Sequence, residues 1–562
     1  MMERLFSPIE QSFFSYQLKA YDYTYIVGTF REVHSISLYL RSAMRILFVF
    51  IGSILLALGG LPLPAEGAKI LATLAWPGRS QYIFVENYLK GLAARGHEVT
   101  VINTFKNKAT PNMRFIEALK VQEFHQQMLA ELEASTLWQE LNAISGLEEK
   151  VAAFTLDDEG VQKLMKSGET FDVVLAEMIE VPALYGMAQH FNATLVGFSS
   201  YGSDYRIDSQ LGNTSPLSYN PSIMSPRTDR MSFCERLTNH YEYLVEMLHR
   251  QLVHLPAMER MYNKYYPNAR QTMDEVLDSF ALVLLGQHFS LSYPRPFLPN
   301  MIEVGGLHIA HKPQPLPEDI KAFIEGAEHG VIYFSMGSNV KSKDLPQETR
   351  DTLLKTFGKL KQRVLWKFED DQLPGKPANV LIKKWFPQPD ILAQTNVKLF
   401  ITHGGLLSTI ESLYFGKPVL GLPVFYDQHM NVARARRVGF GLGLDLYNLN
   451  EQDLEEAIHK LLSEPSFAKA SAQISERYRD QPQPSLERAI WWTEYVIRHQ
   501  GAPHLRATSR DLNFIQLYSL DTLFVLVGLP LLLVALLLKV SCRLLQGRKP
   551  KGCPYADKLK KQ

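Results

Sequence analysis

The chain alternates between short apolar runs and amphipathic stretches over most of its length. Lys69 to Leu74 is an apolar strand candidate, Tyr82 to Arg95 carries apolar residues at helical spacing, and Gly96-His97 leads into a second strand, Glu98 to Ile102. This is a β-α-β opening. Phe171 to Ala176 and Thr194 to Phe198 continue the alternation expected of a parallel sheet, and Arg236 to Tyr266 is helical in pattern and rich in aromatics. Pro294, Pro296 and Pro299, then Pro313, Pro315 and Pro317, bracket Ile302 to Gly306 and mark a connector. Beyond it Val331 to Phe334, Val364 to Lys367, Val380 to Lys383, Val397 to Thr402 and Pro418 to Leu422 each precede a loop and a helix-like run. The pattern predicts two α/β domains of Rossmann type, 68–300 and 301–505, with a juxtamembrane segment over 506–521.

Two apolar runs stand outside that alternation. Thr522 to Leu538 has no charge and is followed by Lys539, Arg543 and a lysine-rich tail, so 522–538 is predicted to span a membrane with 539–562 cytosolic and the body on the opposite side. Ile46 to Leu58 follows Arg45 and precedes Ala65-Glu66-Gly67, the layout of a signal peptide over 44–67 with Met44 as the functional start and 1–43 as an upstream extension. A signal anchor is the alternative. Lysines third and fifth from the end, Lys560 and Lys558, fit an endoplasmic reticulum retrieval signal, and Asn192 and Asn213 begin glycosylation sequons.

Composition narrows the function. With 59 Lys and Arg against 58 Asp and Glu the chain is nearly neutral, which gives no electrostatic case for a nucleic-acid partner. Three cysteines, Cys234, Cys542 and Cys553, leave one in the main body, so neither an intrachain disulfide framework nor a cysteine metal site is expected.

In doubly wound sheets ligands collect at the carboxyl ends of strands. Four such loops carry suitable residues here. Ser335 to Ser338 is small enough for backbone N–H groups to approach a phosphate. Trp385 offers a flat face for a base, with Gln388 able to donate and accept beside it. His403, Gly404 and Gly405 open a helix from Leu406 to about Phe415, an anion-binding arrangement, and Gly404, Ser408 and Glu411 are spaced to share one face with Glu411 near ribose hydroxyls. Asp427 and Gln428, after the next strand, suit the hydroxyls of a hexose.

The run from Trp385 to Gly443, including FITHGGLLSTIESLYFGKPVLGLPVFYDQHMNVARA, resembles the signature of the UDP-glycosyltransferases that include the UDP-glucuronosyltransferases, and the likeness extends from Lys69 to the tail. The resemblance implies the GT-B fold, with two Rossmann-like domains facing a cleft, and inverting transfer from a UDP-sugar to a small lipophilic acceptor, without cofactor or metal. It further implies that Trp385 stacks uracil, Gln388 contacts base or ribose, Ser338 and His403 serve the diphosphate, Glu411 holds the ribose, and Asp427 with Gln428 holds the sugar. Leu407 stands where many vertebrate members have asparagine, a mark of the invertebrate branch.

One position departs from the family. Its general base is a histidine in a Ser-His pair after the first strand, oriented by an acid on a later strand. Here the pair is Ser80-Gln81, and Glu177 is the acid. An amide cannot take a proton at neutral pH. Three readings follow: an active transferase with Glu177 as substitute base or with acceptors that need none; a non-catalytic lumenal protein that binds UDP-sugar or lipophiles and partners with active relatives; and a polysaccharide or sterol glycosyltransferase of another GT-B family, which the expected lumenal topology and single span disfavour. No arginine adjoins Asp427-Gln428 to meet a glucuronate carboxylate, which favours UDP-glucose.

Overall fold

In the computed structural model, residues 67–129, 136–309 and 312–547 are described and form one compact unit from Gly67 onward. The expected signal peptide, upstream extension, dilysine tail and Cys553 lie outside the described residues. Two parallel sheets build the body. The first has β1 (Lys69–Leu74), β2 (Glu98–Asn103), β3 (Met113–Glu117), β4 (Val173–Glu177), β5 (Thr194–Ser199), β6 (Leu282–Leu285) and β7 (Met301–Glu303) in the order 3-2-1-4-5-6-7. The second has β8 (Val331–Ser335), β9 (Arg363–Lys367), β10 (Val380–Lys383), β11 (Val397–Thr402), β12 (Val419–Gly421) and β13 (Gly441–Gly443) in the order 10-9-8-11-12-13. Both orders reverse beside the first strand of the sheet. That is where ligand crevices open in such sheets, β1 and β4 flanking one and β8 and β11 the other. Central strands such as β4 and β8 are buried along their whole length, which is why they read as continuous apolar runs without alternation.

The structure moves two expected boundaries. Strand β7 pairs with β6, so the first sheet runs to Glu303 and past the expected start of the second domain at 301. The helix Ser485–Arg498, expected within the second domain, packs on the first. Ala489, Ile490 and Val496 join the core beneath β1, β2 and the helix Arg79–Ala94, and the Tyr88 hydroxyl lies 2.5 Å from Thr493 Oγ1. A linear division missed this because the apolar face of a late helix carries no sign of which sheet it covers. Beyond it Arg510 donates to the carbonyls of Gln210 and Phe280, tying the segment before the C-terminal apolar helix to the first domain.

The C-terminal apolar helix is one run of 26 residues, Leu520–Leu545, with its side chains exposed, longer than the expected 522–538. It contains a π-turn over Phe524–Gly528, and a second π-turn occupies Arg250–His254. Each ends two residues before a proline, Pro530 and Pro256. A proline has no N–H for the carbonyl four residues back and its ring crowds that carbonyl, so the preceding turn widens without breaking the helix. Of the two sequons, Asn192 is exposed, whereas the Asn213 amide donates to Asp208 Oδ1 and Pro296 O.

If the late helix is part of the first domain's core, Ile490→Ala should lower the unfolding free energy by ~2–5 kcal/mol, the usual cost of truncating a buried isoleucine. Chemical denaturation followed by tryptophan fluorescence measures it; a change near zero would place Ile490 outside the core.

Candidate active site

The polar loops of the second sheet meet at the carboxyl ends of β8, β10, β11 and β12. After β8 the chain turns through Gly337 at φ 79°, and a Cβ there would lie 2.4 Å from the His403 ring. The imidazole of the loop after β11 therefore sits directly on the loop after β8, which requires glycine both for its backbone and for the space. Beside it Ser338 Oγ is buried without a hydrogen-bond partner. Burial and the nearby Lys367 ammonium pull the His403 pKa down to about 4, so at neutral pH the ring is uncharged, with one donor and one acceptor nitrogen.

Trp385 is 53% exposed rather than packed in the core. Lys367 Nζ lies 5.5 Å from its ring centroid and Arg79 Cζ 6.0 Å, the latter reaching across from the first domain. Two cations thus lie beside the indole. Arg79 was not among the expected site residues; its signal in the sequence is a basic residue next to Ser80-Gln81.

Gln388 begins the helix Gln388–Leu392 and points inward. Its Nε2 donates to Glu411 Oε2 at 2.7 Å and Ser408 Oγ at 3.1 Å, and its Oε1 accepts from Tyr333 OH at 3.2 Å. Ser408 and Glu411 do share a face of the helix Leu406–Tyr414, as their spacing predicts, whereas Gly404 lies before that helix at φ 84°. The other oxygen of Glu411 faces His308 Nε2 at 3.0 Å. His308 comes from the connector, and its carbonyl accepts from Asn87 of the first domain's helix Arg79–Ala94. A buried carboxylate is thereby held from both domains. Nothing in the pattern of the connector marked His308 as a site residue.

Asp427 accepts from Asn431, whose amide also donates to Gly404 O, joining this loop to the phosphate-type loop. Loss of water pushes the Asp427 carboxyl up to about 6, with the Asn431 bond opposing it. Gln428 Oε1 accepts from the backbone N–H groups of Val424 and Phe425, so its carbonyl shapes the loop. Between them Tyr426 takes φ 55° and accepts at its hydroxyl from Arg206 of the first domain, 2.7 Å away. A further arginine, Arg434, lies along the helix Gln428–Val438, 6% exposed, with its guanidinium 4.3 Å from the Tyr293 ring and its charge felt by Asp427. The sequence shows no arginine adjoining Asp427, because Arg434 reaches it only through the turn of the helix. A cleft open to solvent runs between the domains here, walled by Tyr201, Asp204 and Arg295 on one side and Leu406, Asn431 and Arg434 on the other.

The chain belongs to the UDP-glycosyltransferase family. The family described as UDP-glucoronosyl and UDP-glucosyl transferase matches residues 72–549. UDP-glycosyltransferase UGT5 of Dactylopius coccus is 32% identical over 501 residues, covering 85% of this chain and 94% of that relative. Human UDP-glucuronosyltransferase 2B10 is 31% identical over 479 residues, covering 80% and 89%. Among solved structures, glycosyltransferase VinC in complex with DTDP aligns at TM-score 0.52 and 16% identity over 77% of this chain and 99% of that one, a likeness of fold. The fold is GT-B, and this UDP-glycosyltransferase is an enzyme of sugar transfer.

The first-domain residues expected at its reacting centre are not joined. Gln81 lies in the first turn of Arg79–Ala94, where Ser80 Oγ donates to its Oε1 at 2.9 Å and the amide folds over Gly78, so closely that a Cβ on Gly78 would lie 2.0 Å from Oε1. Glu177 ends β4, 3% exposed, and neither carboxyl oxygen has a hydrogen-bond partner. Burial raises its pKa to about 8, and the nearby Ser200 hydroxyl offsets this only in part. At neutral pH Glu177 is therefore largely protonated.

Because the folded state holds this proton more tightly than the unfolded chain, Glu177 favours folding below its ordinary value of 4.5, and that contribution is lost as pH rises to about 8. Glu177→Gln should consequently flatten the fall in stability between those limits and melt higher than the parent above pH 8. Thermal unfolding across the range reads this; parallel curves for the two proteins would show that Glu177 ionises normally.

Proposed function

We propose that this chain transfers a hexose, glucose in our reading, from its UDP-sugar to a small lipophilic acceptor, as a single-pass protein of the endoplasmic reticulum membrane with its body lumenal. The observation that carries the proposal is the convergence on one sheet edge of an exposed tryptophan, an unpartnered buried serine hydroxyl, a neutral imidazole and a clamped carboxylate. In this reading uracil lies on Trp385 and the ribose hydroxyls donate to Glu411. Gln388 aims that carboxylate, since both its amide hydrogens are already committed to Ser408 and Glu411. Ser338, His403 and the free N–H groups at the start of Leu406–Tyr414 receive the diphosphate, and Asp427 with Gln428 receives the hexose. Arg434 stacks on Tyr293 and its Nε is buried without a hydrogen-bond partner, so the preference for a neutral hexose rests on the lack of an arginine adjoining Asp427-Gln428 in the sequence. The relatives' names span glucosyl, glucuronosyl and galactosyl transfer.

Inversion requires an acceptor atom to attack the anomeric carbon from the face opposite UDP, and a hydroxyl attacks well only as its proton leaves. Gln81 cannot take that proton, and Glu177 holds its own until about pH 8. The site so built favours acceptors that need no base, such as neutral amines, or hydroxyls at alkaline pH with Glu177 ionised. The same altered position favours the second reading, a UDP-sugar-binding relative without turnover.

Trp385→Ala should weaken UDP binding by ~1–3 kcal/mol, the usual worth of a base stacked on an aromatic ring, and His403→Ala should weaken it as well. Calorimetry on the detergent-solubilised chain reports both, and unchanged affinity in both variants would remove the nucleotide from this edge.

Gln81→His should raise kcat for phenol or alcohol acceptors ~10²–10⁴-fold, the contribution of a general base, while amine transfer changes little. An acceptor screen with UDP-glucose and UDP-glucuronate tests this together with the hexose. UDP-sugar binding without turnover in either protein would leave the non-catalytic reading standing.

A further inference from the structure

The helix Phe233–His249 and the π-turn that extends it to His254 turn a wholly unusual face to solvent. Phe233, Leu237, Tyr241, Leu244, Leu248 and Leu252 follow one another at spacings of three and four and form one stripe. All six are exposed, Phe233 to 70% and Leu252 to 68%. Within Phe233–Val253 the one exposed Asp, Glu, Lys or Arg is Glu235, in the first turn. Asn239, Glu242 and Glu246 point the other way: Asn239 donates to the carbonyls of Leu217 and Asn220, Glu246 accepts from Ser222, and Arg227 pairs with Glu242. A surface helix ordinarily does the reverse, burying its apolar stripe and hydrating its charges. A contiguous exposed stripe of this length marks a binding surface.

Its position in the fold names the occupant. The short helix Tyr205–Leu211 touches the stripe-bearing helix at one end and the path to the membrane helix at the other. Tyr205 meets Tyr243 edge-on with ring centroids 5.0 Å apart, while Gln210 and Gly212 accept at their carbonyls from Arg510 and Ser509. Ten residues later the apolar C-terminal helix begins at Leu520. Along that path Phe514, Ile515 and Tyr518 are exposed, and Tyr518 lies near enough to Tyr243 to perturb its hydroxyl. Trp138, also exposed, meets His249 edge-on at 5.0 Å at the far end of the stripe. Tryptophan and tyrosine around an apolar surface are the composition of a membrane interface.

We infer that the Phe233–Leu252 face lies on the bilayer surface beside the membrane helix, with its apolar side chains among the headgroups and upper acyl chains. This rests on the membrane-anchored reading given above. An interfacial helix usually supplies its own charged face to water; here the opposite face is supplied with partners by the protein. That opposite face also carries Asn239, Tyr243 and Glu246 into the wall of the interdomain cleft. One helix therefore separates lipid from the cleft, and a lipophilic acceptor dissolved in the bilayer has the shortest route to it.

The test uses the full chain in phosphatidylcholine vesicles, with Cys234, Cys542 and Cys553 changed to serine and one environment-sensitive fluorophore at Leu244→Cys, Leu248→Cys, Val534→Cys or Glu456→Cys. Nitroxide lipids carry the quencher either near the headgroup or near the chain end. We expect labels at 244 and 248 to lose most of their emission to the shallow quencher, the label at 534 to the deep one, and the label at 456 to neither. Quenching at 534 without quenching at 244 and 248 overturns the inference and leaves the anchor intact. Quenching at none of the positions overturns both. Disulfide linkage between two copies through Leu244→Cys, with no lipid quenching there, would give the face to a second copy instead.

Discussion

The arrangement at the edge of the second sheet depends on keeping an ionisable carboxyl in a dry place. Glu411 is nearly inaccessible, and an unpaired buried carboxylate costs several kcal/mol, so the fold must supply partners to both oxygens. It does so from two directions, Gln388 at the end of one strand loop and His308 in the connector. Because the His308 carbonyl is in turn held by Asn87, the carboxylate is fixed only when both domains are in register. The loops around it repeat the device at smaller scale: Asn431 joins Gly404 to Asp427, and Arg206 reaches across to Tyr426.

The charges of the first domain follow the same rule where they are paired and break it where they are not. Burial alone would raise the Glu180 carboxyl, yet Arg250 and Arg206 overcome this and hold it down to about 2. Glu177, equally buried, has no cation beside it and is pushed the other way. With only the Ser200 hydroxyl to oppose the loss of water, the protonated form of Glu177 is the one its surroundings tolerate.

Much of this was legible in the sequence. Strands such as β4, β8 and β11 are fully buried apolar runs, and the shared face of Ser408 and Glu411 follows from helical geometry alone. The strand β13 was not found, because Gly441-Leu442-Gly443 has the composition of a loop and becomes a strand only by pairing with β12. Gln388 was expected to contact base or ribose, and its bonds to Ser408 and Glu411 could not be foreseen because those partners are distant in sequence. His308, Arg79 and Arg434 escaped notice for one reason: each acts across a domain boundary or along a helix, where local pattern carries no information about the group it meets.

A crystal structure of the chain with UDP tests the central claim most directly, that a donor site built at this edge remains intact despite the altered base position. The expected result has uracil against the exposed face of Trp385, ribose oxygens within hydrogen-bond distance of Glu411, and the diphosphate beside Ser338 and His403. UDP bound elsewhere, or bound with Glu411 still closed between Gln388 and His308 and out of reach of the ribose, would contradict it.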